Sequence, residues 1–186
     1  MGASLASAAI ALGHEVTIVS GPVQIDYPRK VLVIPVITTE EMLDATTTAF
    51  QDAQGLIGAA APCDYMPIHF LPQKMSKTGS EVMLKLIETP DIVATLGAAK
   101  KKGQWVVGFA LESDDRRFRS IVKMQRKCCD LMVSNGPSAI DSLDNEVEVL
   151  DRLGNVIASL SGPKEQVAVD IMRIVQVQLI QPEESK

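Results

Sequence analysis

Four lysines, two carboxylates and a run of small residues are the side chains here whose types and spacing could handle a phosphorylated ligand. Lys74 and Lys77 lie in Gln73-Lys-Met-Ser-Lys77, inside a stretch from 62 to 79 that holds Pro62, Pro67 and Pro72. A lysine on a loop that closes over a site can neutralise charge developing on a phosphoryl or carbonyl oxygen. A solvated loop lysine is the plainer reading. Lys123 and Lys127 stand four residues apart, with Arg119 a turn earlier and Arg126 beside them. Like charges at that spacing cost a helix a few tenths of a kcal/mol, so an anionic partner would account for them, as would a solvated basic face. Ala59, Ala60 and Ala61 carry almost no side-chain bulk, which lets a flat ring or a phosphate approach the backbone, and Asp64 could then accept from an exocyclic amine. Close packing of small residues reads equally well. Asp91, after Pro90, could hold a ligand or support a helix start, and that start is itself a candidate anion site.

Other chemistries find less support. Cys63, Cys128 and Cys129 are odd in number and two are adjacent, which argues for a reducing compartment rather than a disulfide framework. His14 and His69 lack cysteine neighbours at zinc-ligand spacing. A net charge of −5 and a pI near 5.1 speak against general binding to nucleic acid or an anionic membrane, so any anion site must be local. No apolar run is long enough to span a bilayer, and the opening residues lack a basic segment and cleavage signature. A soluble cytoplasmic protein is expected.

These residues need a scaffold, and hydrophobic periodicity supplies one. Residues 2–12 read as an Ala-rich helix, 15–20 and 31–36 as β-branched strands, 38–53 as a helix with an acidic first turn, and 55–60 as a third strand. Residues 82–87 suggest a short strand or arm. Thr89 at N-cap and Pro90 at N1 would start a helix running to the lysines at 100–102. A strand at 105–109, a charged helix at 113–127, a strand at 131–134, a hairpin across 146–159 and an amphipathic helix at 164–179 follow. Alternating strands and helices predict an α/β fold, a Rossmann-like, three-layer, doubly wound and mostly parallel sheet with a C-terminal antiparallel hairpin and a long flap loop. One domain over 1–181 with a disordered tail at 182–186 is expected. Such folds open on a strand whose following turn cradles phosphates, whereas this sequence opens on a helix, so a first strand is missing from the pattern. Ligands bind at the carboxyl ends of the strands, which directs attention to the residues after 20, 58, 109 and 134.

Taken together, His14-Glu-Val-Thr-Ile-Val-Ser-Gly-Pro22, Ala59-Ala-Ala-Pro-Cys-Asp-Tyr-Met-Pro67, Gln73-Lys-Met-Ser-Lys77, Thr89-Pro-Asp-Ile92, Val107-Gly-Phe-Ala110, Lys123 and Lys127 before Asp130, and Asp144-Asn-Glu-Val147 resemble the bacterial phosphopantothenate-cysteine ligase family in order and spacing. The resemblance implies coenzyme A biosynthesis: 4′-phosphopantothenate is activated by CTP as an acyl-cytidylate, and the cysteine amine then displaces CMP. It implies that Gly58, Ala59, Ala60 and Asp64 contact the nucleotide, that Pro90, Asp91, Ile92, Val93 and Phe109 complete its pocket, and that Lys123 and Lys127 meet its phosphates. Lys74 would be the catalytic group on a dimer-associated flap. Mg²⁺ would accompany the triphosphate, and a homodimer is implied. FMN is not expected in this domain, because a flavoprotein label would belong to a decarboxylase fused to it in many bacteria. The family also carries a strand and an asparagine-bearing loop ahead of the Met1-Gly2 match. A truncated or divergent, non-catalytic nucleotide-binding domain is the alternative. A nicotinamide-dependent oxidoreductase is disfavoured, since no G-x-G-x-x-G is present.

Overall fold

The computed structural model describes residues 1–29, 31–69, 72–77, 79–112, 115–136 and 144–181. Helix α1 (Gly2–Ala11) buries Leu5, Ala6, Ala8 and Ala9 and leads through Gly13, at φ +89°, into strand β1 (Thr17–Ser20). Strand β2 (Leu32–Pro35) runs parallel to β1, from Thr17 opposite Leu32 to Ser20 opposite Pro35. Helix α2 (Thr39–Phe50) opens on a capping box: Thr38 Oγ1 accepts from the Glu41 N–H at 3.1 Å, and Glu41 Oε2 accepts from the Thr38 N–H at 3.1 Å. Such a cap contributes about 1 kcal/mol.

A mixed sheet of five strands follows, in the order β3 (Gly55–Gly58), β6 (Trp105–Leu111), β7 (Leu131–Asn135), β8 (Asp144–Leu150), β9 (Val156–Pro163). The first three are parallel and the last two form the antiparallel hairpin, turning through Gly154 at φ +80°. Between β3 and β6 the chain leaves the sheet as an antiparallel ribbon of β4 (Tyr65–Pro67) and β5 (Leu86–Glu88), then returns through α3 (Ile92–Ala98). Helix α4 (Arg116–Arg126) joins β6 to β7, and α5 (Lys164–Val175) closes the chain with a wide turn, Gln176–Ile180.

The layers are those expected of a doubly wound sheet. On one face α1 and α5 pack Leu5, Ala8, Ala9, Val167, Ile171 and Val175 over Val107, Leu131, Val133, Val147 and Val149. On the other, Phe50 of α2, Ile92 and Leu96 of α3 and Met124 of α4 cover Val106, Ala110, Met132 and Leu150. Alternation along β6 and β7 therefore assigns each residue to a face. Gly97 allows the closest helix approach: a Cβ there would meet the Lys127 carbonyl oxygen at 2.0 Å.

The sheet is nevertheless broken. Strands β1 and β2 pair only with each other, and neither the free edge of β1 nor that of β3 has a strand partner among the described residues. Both strands lie against the same helices, since Val16 and Ile57 join the α1 cluster and α2 touches both β1 and Leu56. Every residue of β3 is half-buried, whereas Val106 and Val107 of β6 are 0% and 1% exposed.

Three expectations change. The helix after Pro90 starts at Ile92 with Asp91 as N-cap, its carboxylate accepting from the Ala94 N–H at 3.1 Å. Thr89 is drawn away because its hydroxyl donates to the Cys63 carbonyl, and the helix ends at Ala98, before the lysines. Strand structure in the arm is confined to Leu86–Glu88, the stretch whose partner strand is Tyr65–Pro67. The expected helix start at 113 and the tail at 182–186 fall outside the described residues.

Candidate functional site

The carboxyl ends of β3 and β6 and the start of α3 gather most of the residues singled out above. Gly58 ends β3, where a Cβ would meet Val93 Cγ2 at 2.5 Å, so the missing side chain is what seats α3 against the strand. Ala59 leaves the strand half-buried, and Ala60 is exposed. The exposed loop beyond them is tied back where the Thr89 N–H donates to the Asp64 carbonyl at 2.9 Å and Thr89 Oγ1 donates to Cys63. Asp64 is thereby held beside Pro90 and Asp91 through its main chain, and its carboxylate stays exposed.

Asp91 links two helices. It caps α3, and its Oδ2 lies 3.1 Å from Lys127 Nζ and 3.5 Å from Arg126 Nη2 at the end of α4. Burial tends to raise the pKa of Asp91, but the Ala94 N–H and the Lys127 ammonium outweigh it and hold the carboxyl below its ordinary 3.8. One turn back, Lys123 Nζ sits 2.5 Å from Oε1 of Glu112, a buried carboxylate just past β6. Beside it Ser120 donates to Ser134 at 2.8 Å, which fastens α4 to the end of β7. Both lysines are paired, although the side chain of Lys123 remains 42% exposed. Each meets a carboxylate from a distant part of the chain.

Not everything converges. Phe109 and Ala59 pack with the α1 and α5 cluster, on the face of the sheet opposite Val93, Asp91, Lys123 and Lys127. Lys74 stands exposed in the arm and makes no ion pair or hydrogen bond among the described residues. Ile92 is buried core, 7% exposed. Glu112 lies in the stretch after residue 109 that the strand ends mark, but its residue type and spacing gave it no role. A charged residue on the β6 face that otherwise carries Val106 and Ala110 was the available signal.

The opposite edge of the strands holds two clefts of about 280 and 440 Å³, both bordered by Asp130 and Arg152. Their charges are already matched. Asp130, 2% exposed, accepts from Lys100 Nζ at 2.7 Å, from Arg152 Nε at 2.8 Å and from the Val106 N–H at 2.6 Å. Cys129 at the same edge has its thiol pushed up to about 12, chiefly by burial, and is inert as a nucleophile. Among the described residues no three His, Cys, Asp or Glu side chains gather to hold a metal, and no helix is long and apolar enough to cross a membrane.

Comparison with known proteins agrees with this fold. The family described as the DNA/pantothenate metabolism flavoprotein C-terminal domain matches residues 1–178. A protein named coenzyme A biosynthesis bifunctional protein CoaBC, from Vibrio vulnificus strain YJ016, is 34% identical over 182 residues, covering 95% of this chain and 45% of its own length. A protein from an unknown prokaryotic organism, named cysteine/cysteine sulfinic acid decarboxylase, is 38% identical over 178 residues, 93% of this chain and 50% of its own. The chain thus spans about half the length of the curated relatives it matches. The crystal structure of the C-terminal domain of a coenzyme A biosynthesis bifunctional protein CoaBC superposes with a TM-score of 0.80 at 28% identity, covering 96% of this chain and 82% of that one.

Proposed function

Since this chain belongs to the DNA/pantothenate metabolism flavoprotein C-terminal domain family, the ligase module of coenzyme A biosynthesis, we propose that it joins 4′-phosphopantothenate to cysteine at the expense of CTP, in the cytoplasm. The observation that carries the reading is the convergence of Gly58, the Asp64 loop, Pro90 to Val93 and Lys127 on one edge of the sheet. That edge offers a small-residue platform, the exposed Asp64 carboxylate and the cations of α4, groups that suit the base and the phosphates of a nucleotide.

In this reading Ala59 and Ala60 admit the base, the exposed Asp64 carboxylate accepts from its exocyclic amine, and Lys123 and Lys127 meet the phosphates. The acyl carboxylate attacks the α-phosphorus and pyrophosphate leaves; the cysteine amine then attacks the acyl carbon, CMP leaves and the amine's proton passes to solvent. Two anions must meet in the first step, so cations carry the catalysis. Lys74 supplies one from the arm, and because nothing among the described residues pairs with it, the reading includes a second copy whose site it reaches. Mg²⁺ would screen the triphosphate, held by the phosphates and water rather than by a carboxylate cage. No residue is assigned to FMN. The reading further includes a strand, followed by a substrate-binding loop, between the free edges of β1 and β3.

Calorimetric titration with CTP, ATP and NAD⁺ in the presence of Mg²⁺, followed by assay of CMP release, tests this. CTP binding with CMP release that needs both 4′-phosphopantothenate and cysteine is the expected result. Binding without turnover would favour a non-catalytic nucleotide-binding domain, and preference for NAD⁺ would overturn both.

A further inference from the structure

The two carboxylates that meet Lys123 and Lys127 differ in what else they do. Asp91 is partly exposed and has a separate task as the cap of α3. Glu112 is 7% exposed and caps no helix among the described residues. It follows β6 on the face that carries Val106 and Ala110, where an apolar side chain would suit the packing. Burying a carboxylate is costly unless it is paired and hydrogen-bonded, yet Oε1 of Glu112 receives no aligned hydrogen bond: the Lys123 ammonium is 2.5 Å away but out of line. The protein thus maintains a buried negative charge at the carboxyl end of a central strand, against a lysine whose side chain is 42% exposed.

We propose that Glu112 is a positioning residue and counter-charge for Lys123, holding its ammonium in place while restraining the attraction of that ammonium for the nucleotide's ground-state phosphates. The inference rests on the reading of Lys123 as a phosphate ligand. Coulomb energy falls only as the inverse of distance, so a phosphate close enough to feel Lys123 also feels Glu112 a few ångströms behind it. The two largely cancel for a resting triphosphate. Charge that develops nearer the lysine during phosphoryl transfer gains more from the ammonium than it loses to the carboxylate, and differential stabilisation of this kind raises turnover where uniform binding does not.

The test titrates CTP with Mg²⁺ against the full-length protein and its Glu112→Gln variant at two salt concentrations, with CMP release measured alongside. The variant is expected to bind CTP about tenfold tighter at low salt, to lose affinity with salt more steeply, by about one charge, and to turn over more slowly. A Glu112 that merely supports the fold gives unchanged or weaker binding, and that result overturns the proposal. Glu112→Met, which suits the apolar face, carries the same expectation if the Gln variant does not fold. Wild-type protein that binds no nucleotide would remove the nucleotide reading itself, whereas wild-type binding with neither variant tighter removes only the role of Glu112.

Discussion

Asp91 shows how one side chain can serve fold and site together. As a carboxylate it caps α3 and neutralises Lys127, and its pKa lies below 3.8 because the Ala94 N–H and Lys127 outweigh the effect of burial. A depressed pKa means that the stabilisation is complete above the ordinary value and disappears as pH falls through the lower, folded one. Asp91→Asn keeps an acceptor for Ala94 but forfeits the ion pairs. The variant should therefore unfold more easily at pH 7, by about 1 kcal/mol for a partly exposed pair, and the gap should close below pH 3.8. Denaturant titrations of both proteins at pH 7 and at successively lower pH check this; a gap that does not narrow at all as the pH falls below 3.8 would show that the side chain's charge is not what matters. Asp91 and Lys127 could each be singled out as candidates from residue type and spacing alone. Their contact could not be, because spacing orders cations along one helix and is silent on which carboxylate of another element reaches them. Thr89 misled for a related reason: it has the right chemistry for an N-cap, but a long-range acceptor, the Cys63 carbonyl, took its hydroxyl.

At the scale of elements, the buried Asp130 joins four segments: the end of α3 through Lys100, β6 through the Val106 N–H, its own β7, and the hairpin turn through Arg152. Asp130→Ala would leave that N–H unpaired and Lys100, whose side chain is 15% exposed, without its counter-charge. A loss of about 3–5 kcal/mol is expected from breaking a buried pair in this way, read as a lower urea midpoint; a shift of under about 1 kcal/mol would reduce the cluster to surface decoration. The arm poses the opposite problem. Tyr65, Ile68, Val82, Met83, Leu84, Leu86 and Ile87 are all exposed, Met83 by 95%, on a two-stranded ribbon that could not hold itself together in water. A second copy of the chain is the cover argued here, and it would bring Lys74 to a site. Lys74→Ala should abolish turnover while leaving the dimer and the melting temperature intact, whereas Met83→Asp with Leu84→Asp should abolish turnover by producing monomers. Light scattering together with CMP release separates the two, and full activity of a monomeric arm variant would sink the shared-site idea. From sequence the prolines mark 62–79 as irregular and 82–87 reads as a short strand or arm, but the exact paired residues are set by Tyr65–Pro67, some twenty residues away.

Across the whole molecule, the α/β alternation was readable because strands and helices differ in period, and the faces of β6 and β7 followed from alternation. The helix-first opening also hinted at the break between β1 and β3, which only the sheet order makes concrete. Parallel strands are ordinarily buried on both faces and paired on both edges, and an isolated parallel pair such as β1–β2 has little independent stability. Here Leu32 of β2 is 62% exposed and β3 is half-buried throughout, although α1 and α2 cover both sides of the break. A strand parallel to β1 and β3 would complete their hydrogen-bonding ladders, and its carboxyl end would emerge where α1 begins, at the same edge as Gly58 and Asp91. Amides on the facing edges of β1 and β3 should accordingly exchange with deuterium within the range of open loops in this 186-residue chain, and become protected when the chain is extended upstream by the family's strand and asparagine-bearing loop. The same extension should raise the melting temperature and tighten CTP binding together, because the inserted strand fixes the platform that carries Gly58. Unaltered exchange at β1 and β3 in the longer chain would mean that the break is a permanent feature of this protein's sheet.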